Sequence, residues 1–296
     1  MDANIILSDE AIKGSFAMVN PNYKNSDRSL ITKFESTTID RLTDFGYETT
    51  KYGFSLGTTY EQYEDVYFSP NVSFYYEDLT TTSNASANLK KQSGEYTDGI
   101  GSYTFTLDKR DQKFRTTEGH KAYFSQALPL ISDDGTLINT FEYQKYHQFV
   151  DEMVGRLAFY IRSVSSISDD DVRVSKRTFL PSRKLRGFEP GKIGPVDSND
   201  FIGGNYSAAL NFSSDIPFLL SGVQTTDFKF FIDAANVWGV DYSDSIDDSN
   251  KIRSSTGISV DWFTPIGPLN FSLAKPITKA STDKTESFRF NLGTTF

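Results

Sequence analysis

The sequence predicts an all-β fold, an antiparallel transmembrane β-barrel with about fourteen strands present, interrupted once by a long segment without strand patterning. Three observations carry this reading. Aromatic residues are 15% of the 296, with 25 Phe and 16 Tyr, yet hydrophobic residues reach only 38% and mean hydropathy is -0.42. A soluble core so rich in Phe and Tyr would bring more Leu, Ile and Val with it, whereas a barrel needs one apolar face and keeps the other wet. Apolar and polar residues alternate over most of the chain, the period of a strand whose two faces meet different surroundings. No run of about twenty apolar residues offers a spanning helix. Hydropathy alone leaves a soluble protein and a membrane barrel both open, because barrel strands are weakly hydrophobic in any window.

The elements follow in order. Ala3 to Ser8 and Ala11 to Asn20 flank an Asp9-Glu10 turn, and a third strand runs from Arg28 to Thr38. Tyr47 to Tyr60 sets Tyr52, Phe54 and Leu56 against Gly53, Ser55 and Gly57, and Val66 to Glu77 sets Val72, Phe74 and Tyr76 against Asn71, Ser73 and Tyr75. Asp78 to Thr97, rich in Thr, Ser and Asn, reads as a long exposed loop. Strands follow at Gly99 to Asp108, Lys121 to Leu130, Thr136 to His147 and Glu152 to Arg162, with a charged turn from Asp108 to Gly119. In the last of these, Leu157, Phe159 and Ile161 oppose Arg156, Tyr160 and Arg162. Arginines opposite large apolar residues suit a polar lumen better than a protein core.

Ser163 to Asp200 is the interruption, with Asp169-Asp170-Asp171, a basic run Arg183-Lys184-Leu185-Arg186 and several Gly and Pro. So long a structureless segment is expected only if it is functional or folds into a cavity. Alternation resumes at Phe201 to Ser213, Thr225 to Trp238, Arg253 to Phe263, Leu269 to Lys275 and Glu286 to Phe296. If the interruption is external, Asp78 to Thr97, Gly239 to Ile252 and Thr278 to Thr285 share its side and the Phe263 to Pro268 turn lies opposite, as external loops and periplasmic turns do. The Asp108 to Gly119 turn is long for the periplasmic side, and a soluble β-sandwich or propeller remains the competing architecture.

Composition excludes several chemistries. The chain has no cysteine and two histidines, His120 and His147, neither in a zinc-like spacing, so no metal, no cofactor and no Ser/His/Asp hydrolase is expected. A net charge of -9 argues against nucleic acid. Trp238 and Trp262 fit aromatic girdles as well as any binding role.

Four stretches resemble the BamA outer-membrane assembly factors and their relatives. They are Leu185-Arg186-Gly187-Phe188, close to the family's Val/Ile-Arg-Gly-Phe/Tyr loop; Phe231 to Trp238, like its Phe-x-Asp-x-Gly-x-Val-Trp strand with Ala235 in the Gly place; Trp262 to Leu269, like its Pro-x-Gly-Pro-Leu turn; and Phe290 to Phe296, like its C-terminal strand signal. Leu107 to Asp111 with Gly119 is a weaker fifth match. The resemblance implies a barrel domain of the bacterial surface antigen type spanning 1-296, with fourteen of an expected sixteen strands and no POTRA domains or first strands. It also implies that the loop bearing Arg186 folds into the lumen and docks on the inner wall. An arginine confined there seeks a bidentate carboxylate, and Asp233 has the parity to face inward. Asn211 stands where the family commonly has Glu, so Asp233 is expected to carry most of the counter-charge, unless it is an unpaired lumen acid. Phe288, Phe290, Leu292 and Phe296 share the outward face of the last strand, as lipid-facing residues, as a terminal recognition signal, or as both.

The function implied is non-enzymatic. A protein of this kind folds and inserts β-barrel clients into the outer membrane of a Gram-negative bacterium through a lateral seam between first and last strands. Its implied partners are unfolded barrel clients, outer-membrane lipids and accessory assembly lipoproteins engaged through the periplasmic region. A two-partner secretion pore of the same superfamily is the alternative, separated from it by the number of POTRA domains upstream. A passive porin gives no reason for the Leu185 to Phe188 motif.

Overall fold

The computed structural model describes residues 2–8, 11–150, 153–168, 171–216, 225–243, 245–264 and 267–292. Fourteen strands form one sheet in sequence order, each antiparallel to its neighbours. They are β1 (Asp2–Ser8), β2 (Ala11–Asn20), β3 (Ser29–Arg41), β4 (Tyr47–Tyr63), β5 (Val66–Thr81), β6 (Gly94–Asp108) and β7 (Gly119–Ser132). The second half comprises β8 (Thr136–Val150), β9 (Met153–Ser166), β10 (Tyr206–Asp215), β11 (Thr226–Trp238), β12 (Arg253–Thr264), β13 (Gly267–Thr278) and β14 (Phe288–Leu292). Among the described residues β1 pairs only with β2 and β14 only with β13, and no ladder joins first to last.

The faces are inverted relative to a soluble protein. In β9, Leu157, Phe159 and Ile161 point outward and are exposed, whereas Ala158 and Tyr160 are buried. Leu157 is 47% exposed, while Asp98, Ser207, Asp233 and Ser255 on inner faces are 0% exposed. Apolar residues outside and satisfied polar residues inside are what a lipid solvent selects. Trp262 is exposed on the outer face, and Trp238 stacks on Tyr206 across β10 and β11, ring centroids 5.8 Å apart.

The meander places the connections 82–93, 239–252 and 279–287 at the same end as the long loop 167–205, and the β6–β7 turn 109–118 at the other. That loop runs inside the sheet and supplies what core the molecule has. Leu180, Leu185, Phe188 and Ile193 pack on Tyr160, Ala209, Ala235 and Val237 of the inner wall. Val174 and Phe201 pack with Phe45, Tyr47, Leu79, Ala85 and Leu89 at the loop end.

Two expectations are corrected, and one falls outside the described residues. The segment read as an exposed loop, Asp78 to Thr97, is mostly strand and short helix, Ala87–Lys90, because Leu79, Ala85 and Leu89 have the long loop to bury against. Ser86 caps that helix by accepting the Leu89 N–H at 3.1 Å. Phe201 belongs to a two-stranded ribbon, Val196–Asp197 with Asp200–Phe201, and β10 begins only at Tyr206. The last strand is described from Phe288 to Leu292, and Phe296 lies outside the described residues.

Candidate functional site

At the tip of the loop a 3-10 turn, Ser182–Lys184, leads into Leu185, whose buried side chain fixes where the next residue points. Arg186 then meets Asp233 of β11 with both forks of its guanidinium. Nε donates to Oδ2 and Nη2 to Oδ1, each at 2.7 Å, and the Arg186 backbone N–H donates to Oδ2 at 3.1 Å. The guanidinium carbon lies 3.5 Å from the centroid of the Phe231 ring, two residues before Asp233 on the same inner face. The arrangement combines a bidentate ion pair with a cation–π contact, both strengthened where water is scarce.

Asn211 of β10 lies opposite Asp233 in the ladder. Its Nδ2 donates to Asp233 Oδ1 and to the Lys184 carbonyl, both at 2.8 Å. The amide thus orients the carboxylate and grips the loop backbone, while the guanidinium donates to Asp233 and lies on the Phe231 ring. Gly187 follows with φ +88°, and a Cβ there would come within 3.2 Å of Ala274 and 3.3 Å of Ser255. Ser255 donates to the Arg186 carbonyl at 2.5 Å, so the left-handed residue lets the loop approach β12 and β13. Phe188 is buried in the apolar cluster. Phe288 and Phe290 face outward from β14, Phe290 pairing with Phe271 at 5.1 Å, and Leu292 pairs in register with Leu269.

Sequence reasoning did not single out several residues that complete the site. Arg289 of β14 donates to the carbonyls of Ser182 and Phe188 and pairs with Glu286. Glu286 itself donates its backbone N–H to the Gly187 carbonyl at 3.2 Å. A second ion cluster fixes the root of the loop. Arg173 meets Asp98 at 2.7 Å, Asp134 at 3.3 Å and Glu77 at 3.5 Å, with its guanidinium carbon 3.8 Å from the Tyr96 ring centroid. Lys176 shares Asp98 at 2.8 Å and also pairs with Asp134. Acids at inward parity on β5 and β6, facing a loop with an Arg-x-x-Lys-Arg spacing, were the available signal.

Three loop groups titrate away from their ordinary values. Burial pushes the Asp241 carboxyl up, but the Arg177 guanidinium, the Val172 N–H and Asn205 outweigh it and hold it below the usual range. Burial pushes the Lys184 ammonium down despite its 2.8 Å contact with Glu142. Burial also opposes the charge on Lys192, yet Asp44 and Glu189, each at 2.8 Å, raise it. The weaker motif match places Arg110 bidentate on Asp108, at 2.7 and 2.8 Å. No group of three or more candidate metal ligands occurs among the described residues.

Comparison with known proteins places this geometry in context. The profile of the Omp85 superfamily domain matches residues 1–296. The outer membrane protein assembly factor BamA of Neisseria meningitidis is 32% identical over 141 residues, 38% of this chain and 17% of that protein. That of Neorickettsia risticii is 26% identical over 218 residues, 72% of this chain and 29% of that protein. This chain therefore spans less than a third of the length of these relatives. Among solved structures, BamA from Haemophilus ducreyi lacking POTRA domains 1–3 superposes with a TM-score of 0.87 at 22% identity, over 97% of this chain and 63% of that one.

Proposed function

The chain belongs to the Omp85 superfamily, and we propose that it serves as the barrel region of an outer-membrane protein assembly factor that inserts β-barrel clients by edge pairing at a lateral seam. Its place is the outer membrane of a Gram-negative bacterium. The observation that carries the seam is the outer edge of β14, which has no partner strand among the described residues. An edge of this kind presents backbone N–H and C=O groups to an extended segment, which is how β-augmentation recruits a partner. The action is non-covalent: the loop latch at Arg186 and Asp233 keeps the inner wall in register while the edge exchanges partners. Accessory assembly lipoproteins are further partners in this reading.

The test is a chimeric assembly factor in which residues 1–296 replace the matching region of a BamA relative, expressed in cells depleted of their own. Restored client levels support the assembly role, and loss of viability with a folded chimera in the membrane overturns it. A photo-crosslinker at Phe290 should capture a client strand. Normal client assembly with no crosslink at β14 would remove the seam while leaving the assembly role standing.

A further inference from the structure

At the end of the lumen opposite the loop root lies a cavity of about 1030 Å³, bounded by the β6–β7 turn, the inner wall and the tip of the loop. In a chain of net charge -9 its lining carries ten cationic residues and four carboxylates. Three of the four acids are already engaged: Glu142 by Lys184, Asp227 by Arg115 and Asp261 by Lys229. The fourth, Asp215, accepts the Val154 N–H at 3.3 Å.

Lys121 of β7, Arg156 of β9 and Arg183 of the loop tip line the same cavity; Lys121 faces Asp108 across the β6–β7 ladder, and Arg156 and Arg183 form no ion pair among the described residues. Register puts Lys121 across from Gln144 and Arg156 across from Tyr146 on the intervening β8, so both point from neighbouring rows of one inner face. Arg183 comes down on them from the opposite side, within one residue of the Lys184 and Glu142 pair. Both guanidiniums line the same cavity beside Lys184, in keeping with their part in lowering its ammonium. Like charges gathered in a confined cavity repel one another more than in bulk water, and a multivalent anion relieves that repulsion.

We propose that this cavity is a binding site for a phosphate-class oxyanion, held by Lys121, Arg156 and Arg183. A phosphate offers several acceptor oxygens and more than one negative charge to donors converging from three elements, and guanidinium forks match its edges. Two sources share that chemistry, a soluble phosphate and the headgroup of a membrane lipid. The cavity reaches Arg289 and Asn291 of β14, the last described strand, whose outer edge has no partner among the described residues.

The experiment is isothermal titration of the folded 296-residue protein in neutral detergent with pyrophosphate, repeated on Arg183→Gln and on Arg156→Gln with Arg183→Gln. Arg183 is exposed and makes no ion pair among the described residues, so its variant should keep the fold, checked by heat-modifiable mobility. Saturable binding that weakens about tenfold in the single variant and further in the double, consistent with the weight of a charge-assisted contact, supports the site. Competition by micelles doped with phosphatidylglycerol assigns the headgroup as the source, and its absence assigns the soluble anion. No saturable binding, equal affinity in the variants, or binding of a Glu-rich peptide in place of pyrophosphate overturns the proposal.

Discussion

Arg289 reaches from the last described strand to the carbonyl of Phe188, and a second donor of the same guanidinium takes the carbonyl of Ser182. β14 is therefore held on one side by the β13 ladder and from within by the loop. Arg289→Gln should loosen β14 by about 1.5–3 kcal/mol, the range for hydrogen bonds to a charged group. Amide exchange at 288–292 should quicken while β11 stays protected, and unchanged exchange would break the link between loop and last strand.

Asp233→Asn removes the carboxylate that pairs with Arg186 while keeping the shape of the site. Because Arg186 retains 17% side-chain exposure, the loss should fall somewhat below that of a fully buried pair, at about 2–4 kcal/mol. The temperature at which the folded band converts on gels should drop. An unchanged transition would mean that the packing of Leu185 and Phe188 alone holds the loop.

Gly257 lies beneath the Phe231 ring, and a Cβ there would come within 2.7 Å of Phe231 Cζ and 2.0 Å of the Leu273 carbonyl oxygen. Gly257→Ala should cost about 1–3 kcal/mol by forcing ring and backbone apart. Combined with Arg186→Ala, the costs should add to less than their sum, because both remove the same cation–π contact. Strict additivity would show that the ring does not position the arginine.

The root and the tip of the loop are separate attachments. Asp98→Asn strips Arg173 and Lys176 of a shared acid and should raise exchange at 172–178. Its effect on stability should add to that of Asp233→Asn within about 0.5 kcal/mol, as expected for sites without common partners.

The Arg177 and Asp241 pair gives a pH signature. Asp241 titrates lower in the folded protein than in the unfolded chain. Its contribution is therefore complete above about pH 4, the ordinary carboxylate value, and disappears as pH falls through the folded pKa. Exchange at Val172, whose N–H donates to Asp241 at 3.0 Å, should lose protection below that point. Asp241→Asn should exchange faster than the wild type above that point, match it below, and show no such step.

Much of the sheet was legible because a strand with lipid on one side and water on the other writes its period directly into the residues. Leu157, Phe159 and Ile161 against Ala158 and Tyr160 is a pattern that needs no tertiary knowledge. The partnership of Arg186 with Asp233 was reachable from a motif plus strand parity. The roles of Arg289 and Phe231 were not, since each depends on where a loop of irregular backbone crosses the wall, and no periodicity encodes that path, while the Asp98 cluster was signalled only by acids of inward parity and the loop's Arg-x-x-Lys-Arg spacing. Leu79 and Leu89 were hidden for the same reason: a polar stretch conceals two anchors whose partners lie far along the chain.

The apolar clusters packed around Phe45, Leu79, Val174 and Phe201 sit at the loop end of the lumen, while the charged cavity lies at the turn end. The two ends of the interior thus differ, with apolar packing at one and a charged recess at the other. In a planar bilayer such a molecule should be electrically quiet, passing little current until the loop root is displaced. Ionic conductance then becomes a direct gauge of loop position, with Asp98→Asn expected to turn an insulating protein into a flickering one.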